Sequence, residues 1–431
     1  MKSFVLGALI AAALAWPAAA QAPQPTTFVQ AGHVLVDPAS GKVETAKTLV
    51  VQGGKVVRIA DGYVAEPGGK VVDLKTAWVL PGLIDSHVHL TLVQSATSRM
   101  DVVTQSSAEL AMVGARNARK TLMAGFTTVA DLSADDDAIF ALRKATALGD
   151  VPGPRILAAG QALSVLGGHG DNTGYRADVT RVLQPRSVCS GPDDCRRAAR
   201  EQIRAGADLV KIHATGGVLD NGATGLAQQF SDEEMVAIVD AAHRMGRRVT
   251  AHAHGADGIN AFLRAGGDSI EHGTYIDATG IKLLKERGGY LIPTLMAGDY
   301  VARIAAGPNN FFTPATTAKA LQAGPLMLDM ARRVHQAGVK IAFGTDTGVS
   351  AHGDNAGEFV LLVKAGLTPL EAIQAATVNA ADHLQISAIA GALTPGHSAD
   401  IVAVATDPLA DVSVLQHVAF VMKEGTVYKG P

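Results

Sequence analysis

Apolar and polar positions alternate at both ends of the chain, and a different rhythm fills the middle. Between residues 28 and 75, Thr48-Leu49-Val50-Val51-Gln52 and Lys55-Val56-Val57-Arg58-Ile59 are separated by Gly53-Gly54, with Pro67-Gly68-Gly69 further on. Runs of period two bounded by such turns predict strands. The tail repeats the pattern in Asp400-Ile401-Val402-Ala403-Val404 and from His417 to Tyr428. Neither piece is long enough to bury its own core, so residues 21–80 and 392–431 together predict one small β-sandwich domain.

Between these flanks, strand-like runs alternate with helical periods. The runs fall at 83–89, 126–131, 155–160, 208–213, 248–254, 268–272, 290–294 and 340–346, with helical spacing at 232–245 and 369–383. Such β/α units predict an α/β fold, a (β/α)8 barrel over 81–391, whose functional groups gather at the C-terminal strand ends. A doubly wound open sheet is the competing architecture, but no Gly-x-Gly-x-x-Gly follows an early strand.

The first residues change the picture of where the protein works. Met1-Lys2-Ser3, an apolar run from Phe4 to Trp16 and Ala18-x-Ala20 predict a secretory signal over 1–20, cut after Ala20. The expected mature protein is periplasmic or secreted and has no membrane span; an uncleaved anchor is the alternative. In an oxidising compartment, Cys189 and Cys195, close in sequence around a Gly-Pro turn, predict a disulfide. Net charge is -3, with 37 Lys+Arg against 40 Asp+Glu, so no basic field draws nucleic acid or anionic lipid. A small-molecule substrate is the expected partner.

Candidate chemistry lies where the strand-like runs end. In Ile84-Asp85-Ser86-His87-Val88-His89 the i, i+2 spacing puts both imidazoles on one face of a strand, able to converge on one ion. Lys211, in Asp208-Leu209-Val210-Lys211-Ile212-His213, sits on a mostly apolar strand. A bare ammonium there, near metal cations, is disfavoured by desolvation and repulsion. Its neutral amine can instead take up CO2, and the carbamate is an anionic bridge. His252 in Thr250-Ala251-His252-Ala253-His254, His272 in Glu271-His272-Gly273 and Asp346 in Gly344-Thr345-Asp346 end later strands. Nitrogen and oxygen ligands without cysteine fit a pair of divalent ions, Zn2+ first, with Mn2+ or Co2+ also compatible.

At these residues the chain resembles the amidohydrolase superfamily, in its imidazolonepropionase-related, prolidase-like branch, which includes bacterial ochratoxin-hydrolysing members. The resemblance runs from Ala31-Gly32-His33 through Pro81-Gly82-Leu83-Ile84-Asp85-Ser86-His87-Val88-His89, Val210-Lys211-Ile212, Ala251-His252, Glu271-His272-Gly273 and Gly344-Thr345-Asp346 to Pro395-Gly396-His397-Ser398-Ala399-Asp400. It implies that His87 and His89 bind a more buried metal, and His252 and His272 a more exposed one. Carboxylated Lys211 would bridge them, and Asp346 would bind the buried ion and handle the proton. It implies amide hydrolysis of dipeptides or N-acyl amino acids, and assembly into a homo-oligomer.

Loop residues suggest substrate contacts. His-Gly-Asp-Asn occurs at 169–172 and 352–355. His169 is expected to meet the oxyanion or substrate, while the second copy is as well suited to ordering its own loop, with Asn355 and Glu358 making turn and helix-start hydrogen bonds. His254 shares the face of His252, as a substrate contact or a structural support; His213 shares that of Lys211 as a weaker candidate; and Tyr175 and Arg176 either hold a substrate carboxylate or belong to a surface loop. Asp135, Asp136, Asp137, Asp171, Asp220, Asp299 and Asp354 stand against Arg99, Arg176 and Arg303 in these loops, predicting a taste for C-terminal Arg or Lys. Helix capping is the competing role of those aspartates. Rival functions are a Xaa-Pro dipeptidase, a hydrolase of aromatic amides such as ochratoxin A, a cyclic-amide hydrolase or deaminase, and a periplasmic metal- or solute-binding protein.

Overall fold

The computed structural model describes residues 25–220 and 225–430, so the predicted signal at 1–20 lies outside the described residues. Both chain ends enter one seven-stranded sheet. β1 (Thr27–Leu35), β2 (Val43–Gln52), β3 (Lys55–Asp61) and β4 (Lys70–Pro81) come from the start of the chain. Their sheet partners from its end are named below. Alternation decides which residues go inside: Val29, Ala31, Val34, Leu49, Val51, Leu74 and Val79 bury against one another.

Strand β4 runs almost directly into the barrel. β5 (Leu83–Val88), β6 (Phe126–Asp131) and β7 (Arg155–Ala158) form a parallel three-stranded sheet. After a short pair, β8 (Ser164–Val165) with β9 (Val188–Cys189), come β10 (Val210–His213), β11 (Val249–Ala253), β12 (Ser269–His272), β13 (Tyr290–Ile292) and β14 (Lys340–Ile341), a parallel five-stranded sheet. Gly82, the joint between β4 and β5, cannot carry a side chain, because a Cβ would lie 2.1 Å from Thr127 Oγ1.

Backbone hydrogen bonds close these two sheets into one ring. At one seam Asp208 N donates to Ala158 O (2.9 Å) and Leu163 N to Lys211 O (2.8 Å). At the other, Ser86 N donates to Phe343 O (2.8 Å), Asp346 N to His87 O (2.7 Å) and His89 N to Thr347 O (2.8 Å). A closed ring leaves no edge strand, as expected of the (β/α)8 class. Strands β15 (Ile401–Val404), β16 (Phe420–Lys423) and β17 (Thr426–Lys429) then return to the first sheet, whose order is β17-β16-β15-β4-β1-β2-β3. Ile401, Ala403, Phe420 and Met422 complete its apolar core.

Two elements differ from expectation. The eighth barrel run pairs as a ladder only over Lys340–Ile341, because beyond it the backbone turns to bond β5 and reaches Asp346 with a positive φ of 57°. The helical run at 369–383 holds a π-helical stretch, Ala375–Asn379, between Pro369–Gln374 and Ala380–His383. Cys189 and Cys195 are joined in a disulfide that ties β9 to the helix Pro192–Ala205. Among the described residues no helix is long and apolar enough to cross a membrane.

Candidate metal centre

The C-terminal ends of the barrel strands carry an unusual backbone. His272, Thr294 and Asp346 all have positive φ, at 69°, 46° and 57°. For residues other than glycine this left-handed conformation costs about 1–3 kcal/mol each, and such strain persists where surrounding contacts enforce it. Its effect is seen around β12. In a regular strand neighbours face opposite sides, yet Glu271 and His272 both turn inward: Glu271 accepts from Thr250 Oγ1 and His87 Nδ1, and His272 Nδ1 contacts Thr294 Oγ1.

Three donor atoms converge first. His87 Nε2 and His89 Nε2 are 3.3 Å apart, and Asp346 Oδ1 lies 3.5 Å from the former and 3.1 Å from the latter. The opposite nitrogen of each ring is anchored. His87 Nδ1 is 2.8 Å from Glu271 Oε2, and His89 Nδ1 is 3.0 Å from the Ser133 carbonyl. Anchoring one imidazole nitrogen so that the other faces a common point is how metal sites fix tautomer and ring orientation.

His252 and His272 face each other at a ring separation of 4.7 Å, and His272 lies 5.2 Å from His87. Burial holds His87, His252 and His272 well below the usual imidazole range, so their lone pairs are free. Burial opposes protonation of His89 too, but the hydrogen bond and charge of Asp346 outweigh it and raise the group. Lys211 is 2% exposed, and burial lowers its amine to about 8, against the pull of the Glu271 and Asp346 charges. Among the described residues it forms no ion pair. Imidazoles, a carboxylate and a buried amine without an ion pair among the described residues, with no thiolate, fit hard or borderline divalent ions.

The other expected contacts divide. His169 Nδ1 bonds Asp220, and its ring stands 4.3 Å from that of His252, beside the ligand group. His213 packs edge-on against His169 at 4.6 Å. His254 stacks on His272 at 5.0 Å and bonds Thr274 Oγ1, a buried supporting place behind that ring. Next to this group opens a cleft of about 400 Å3 lined by His169, Asp220, Asp171, Arg99 and Tyr175, among others.

Arg176 takes the surface-loop place: it is absent from the cleft wall and exposed, and its guanidinium pairs with Asp178 at 2.6 Å. The basic side chain that does line the cleft is Arg99. Several loop aspartates also have structural work: Asp135 caps the helix Asp136–Leu148 and Asp299 pairs with Arg303. In the second His-Gly-Asp-Asn copy, His352 contacts the Leu92 carbonyl and Asn355 Nδ2 donates to Asp85. Glu358 instead accepts from Leu295 N and Met296 N, at the start of a different helix.

Sequence reasoning gave no role to Glu271, Asp85 or Asp131. Asp85, fully buried and pushed up to about 7 by burial, ties β5 to the last barrel run through Thr345 N, Thr345 Oγ1 and Asn355. Asp131, pushed up to about 6 by burial, accepts from Leu90 N at 2.7 Å and so fixes the chain just beyond His89. Their only advance signal was a carboxylate inside an otherwise apolar strand.

Residues 78–429 match the model of the amidohydrolase family. Ochratoxinase from Aspergillus niger is 34% identical over 374 residues, which are 82% of this chain and 76% of that protein. A crystal structure of a Xaa-Pro dipeptidase with bound methionine in the active site superposes with a TM-score of 0.89 at 36% identity, covering 94% of this chain and all of that one. A prolidase complexed with N-methylphosphonate-L-proline gives 0.86 at 32%, covering 94% of this chain and 100% of the other. This chain belongs to the amidohydrolase family and is a hydrolytic enzyme with a small-molecule substrate.

Proposed function

We propose that the enzyme cleaves the amide bond of dipeptides or N-acyl amino acids and releases the C-terminal residue. The observation that carries this reading is the convergence of His87, His89 and Asp346 beside a buried, unpaired Lys211. His87, His89 and Asp346 would hold one divalent ion, His252 and His272 a second, and carboxylated Lys211 would bridge them. Ions bound there polarise a carbonyl and acidify a water, so that hydroxide is available near neutral pH.

The chain's own groups supply the rest. Lys211, lowered to about 8 by burial, keeps a share of neutral amine at physiological pH. That nitrogen bonds the carbon of CO2 and loses one proton, leaving a carbamate anion. Asp346 can take a proton from the attacking water and return it to the departing amine. Asp220 holds His169 by Nδ1, which leaves Nε2 to meet a substrate oxygen. Asp171 and Asp220 against Arg99 on the cleft wall support a preference for C-terminal Arg or Lys. Phe311, Phe312, Leu219 and Val102 on the same wall support a second reading, turnover of aromatic amides such as ochratoxin A. The disulfide agrees with export to an oxidising compartment by the predicted leader.

A library of dipeptides, including Xaa-Arg, Xaa-Pro and Xaa-Phe, and N-acyl amino acids tests this on zinc-loaded protein. Turnover that disappears on chelation and returns with Zn2+ is expected. Tight metal binding without turnover of any amide would favour a binding protein instead, and equal or lower rates for Xaa-Arg would remove the cationic preference.

A further inference from the structure

The cleft beside the ligand group has an anchor at its outer side. His169 and Asp220 mark the side next to His252, whereas Arg99 projects from the short helix Ser98–Thr104 and is exposed. Arg99 is the only arginine or lysine among the described residues that line this cleft. Its side chain is held in place by one turn of chain, Thr173-Gly174-Tyr175. Arg99 Nη2 donates to the Thr173 carbonyl at 3.1 Å, and the guanidinium lies 5.1 Å from the centre of the Tyr175 ring. Tyr175 Oη donates to the Arg99 carbonyl at 2.5 Å, which fixes the backbone beneath that side chain. Gly174 makes room: a Cβ there would stand 2.9 Å from Arg99 Nη2.

Such a cradle is an odd investment for a surface arginine. A guanidinium has five N–H donors in a planar fork, and the structure gives Arg99 one acceptor and no carboxylate among the described residues. Six other exposed arginines, Arg58, Arg176, Arg197, Arg244, Arg303 and Arg333, fold onto a nearby acid, whereas Arg99 is held by backbone and an aromatic ring. A pre-oriented fork without a counter-ion, facing a cleft that leads to the ligand group, matches a planar anion brought by the substrate.

We propose that Arg99 binds the free α-carboxylate of the residue that the enzyme releases, so that the enzyme requires an unblocked C-terminus. This rests on the proposed amide hydrolysis for its substrate and names the group that selects it. Tyr175 is then a positioning residue that supports the fork. Arg99 thus takes the contact that one of the two sequence readings gives to Arg176.

The test compares Ala-Phe with Ala-Phe-NH2 by following release of Phe and of Phe-NH2 by chromatography. A hydrogen-bonded charge pair of about 1.5–3 kcal/mol gives the free acid roughly a tenfold to hundredfold higher kcat/KM. Arg99→Met is expected to remove that advantage, mainly through KM, while turnover of the amidated peptide, metal content and melting temperature stay as in the wild type. Arg99→Lys should keep part of the preference and Tyr175→Phe most of it. Equal loss on both peptides, or no preference in the wild type, overturns the proposal. Calorimetry with phenylalanine and phenylalaninol, which carry no amide bond, gives a second readout that needs no turnover. Tighter binding of the acid that disappears in Arg99→Met supports the anchor even if neither peptide is cleaved, an outcome that would sink the proposed reaction instead. Equal affinity, or no binding of either, overturns the anchor.

Discussion

The two ends of the barrel handle charge in opposite ways. At the floor, where strands begin, charged groups pair across elements. Arg155 at the start of β7 pairs with Asp400 and Glu424, both at 2.8 Å, and Asp208 ahead of β10 pairs with Arg143 at 2.5 Å. Even buried Lys423 is satisfied, donating to the Thr146 and Gly153 carbonyls. At the mouth, six imidazoles stand with neighbouring rings 4.3–5.2 Å apart, near an amine that has no ion pair among the described residues. Paired charges at one end stabilise the fold; at the other, burial keeps His87, His252 and His272 neutral, and their crowded lone pairs are costly unless something cationic joins them. The lesson is that the mouth is built for ligands the polypeptide does not itself supply.

The largest expected effect comes from removing the amine at the centre of the mouth. Lys211→Ala should lose metal and amide hydrolysis together while keeping the fold, as read by elemental analysis, turnover and circular dichroism. Metal retained at the wild-type level would show that Lys211 is no bridge. Asp346→Asn should cut kcat by about 10²–10⁴-fold, the range for losing a positioned proton carrier, with a smaller effect on KM. A changed KM with constant kcat would contradict a proton role.

Glu271→Gln probes the shell behind the ligands. Losing the partner that holds His87 Nδ1 should weaken metal affinity by about 10–100-fold, measurable by competition with a chelator. The floor should respond in the opposite way. Arg155→Met leaves Asp400 buried and unpaired, and should cost about 3–5 kcal/mol of stability in urea unfolding without changing kcat on zinc-loaded protein. An activity loss with normal stability would erase the distinction between the two ends.

How much of this was legible depends on whether a residue obeyed the regular strand. His87, His89, Lys211 and His252 follow alternation, and their inward aim could be read from spacing alone. Glu271 could not, since its neighbour His272 adopts a positive φ and both side chains turn toward the same interior. The seven-stranded sheet was visible from its turns and alternation, but its pairing of first and last segments rests on long-range contacts that no local pattern contains. Arg99 and Arg176 looked alike in sequence; Asp178, two residues on, captures one of them, and the Thr173–Tyr175 turn presents the other.

The smallest effect sharpens the comparison through pH. Burial pushes the Glu358 carboxyl up to about 8, against the helix-start hydrogen bonds from Leu295 N and Met296 N that favour its anion. The folded chain therefore keeps a proton that the unfolded chain releases near 4.5, so this group's stabilisation is complete below that pH and declines until about 8. Glu358→Gln should flatten the fall in stability between pH 5.5 and pH 8, which reaches at most about 1.4 kcal/mol per pH unit. Parallel wild-type and variant profiles would contradict that protonation state.

Elemental analysis of active, purified enzyme tests the mouth most directly. Close to two divalent ions per chain are expected, as in two-metal hydrolases, with loss of both ions and of amide turnover on chelation. Full activity in protein free of transition metal would contradict the assignment of these strand-end residues as ligands.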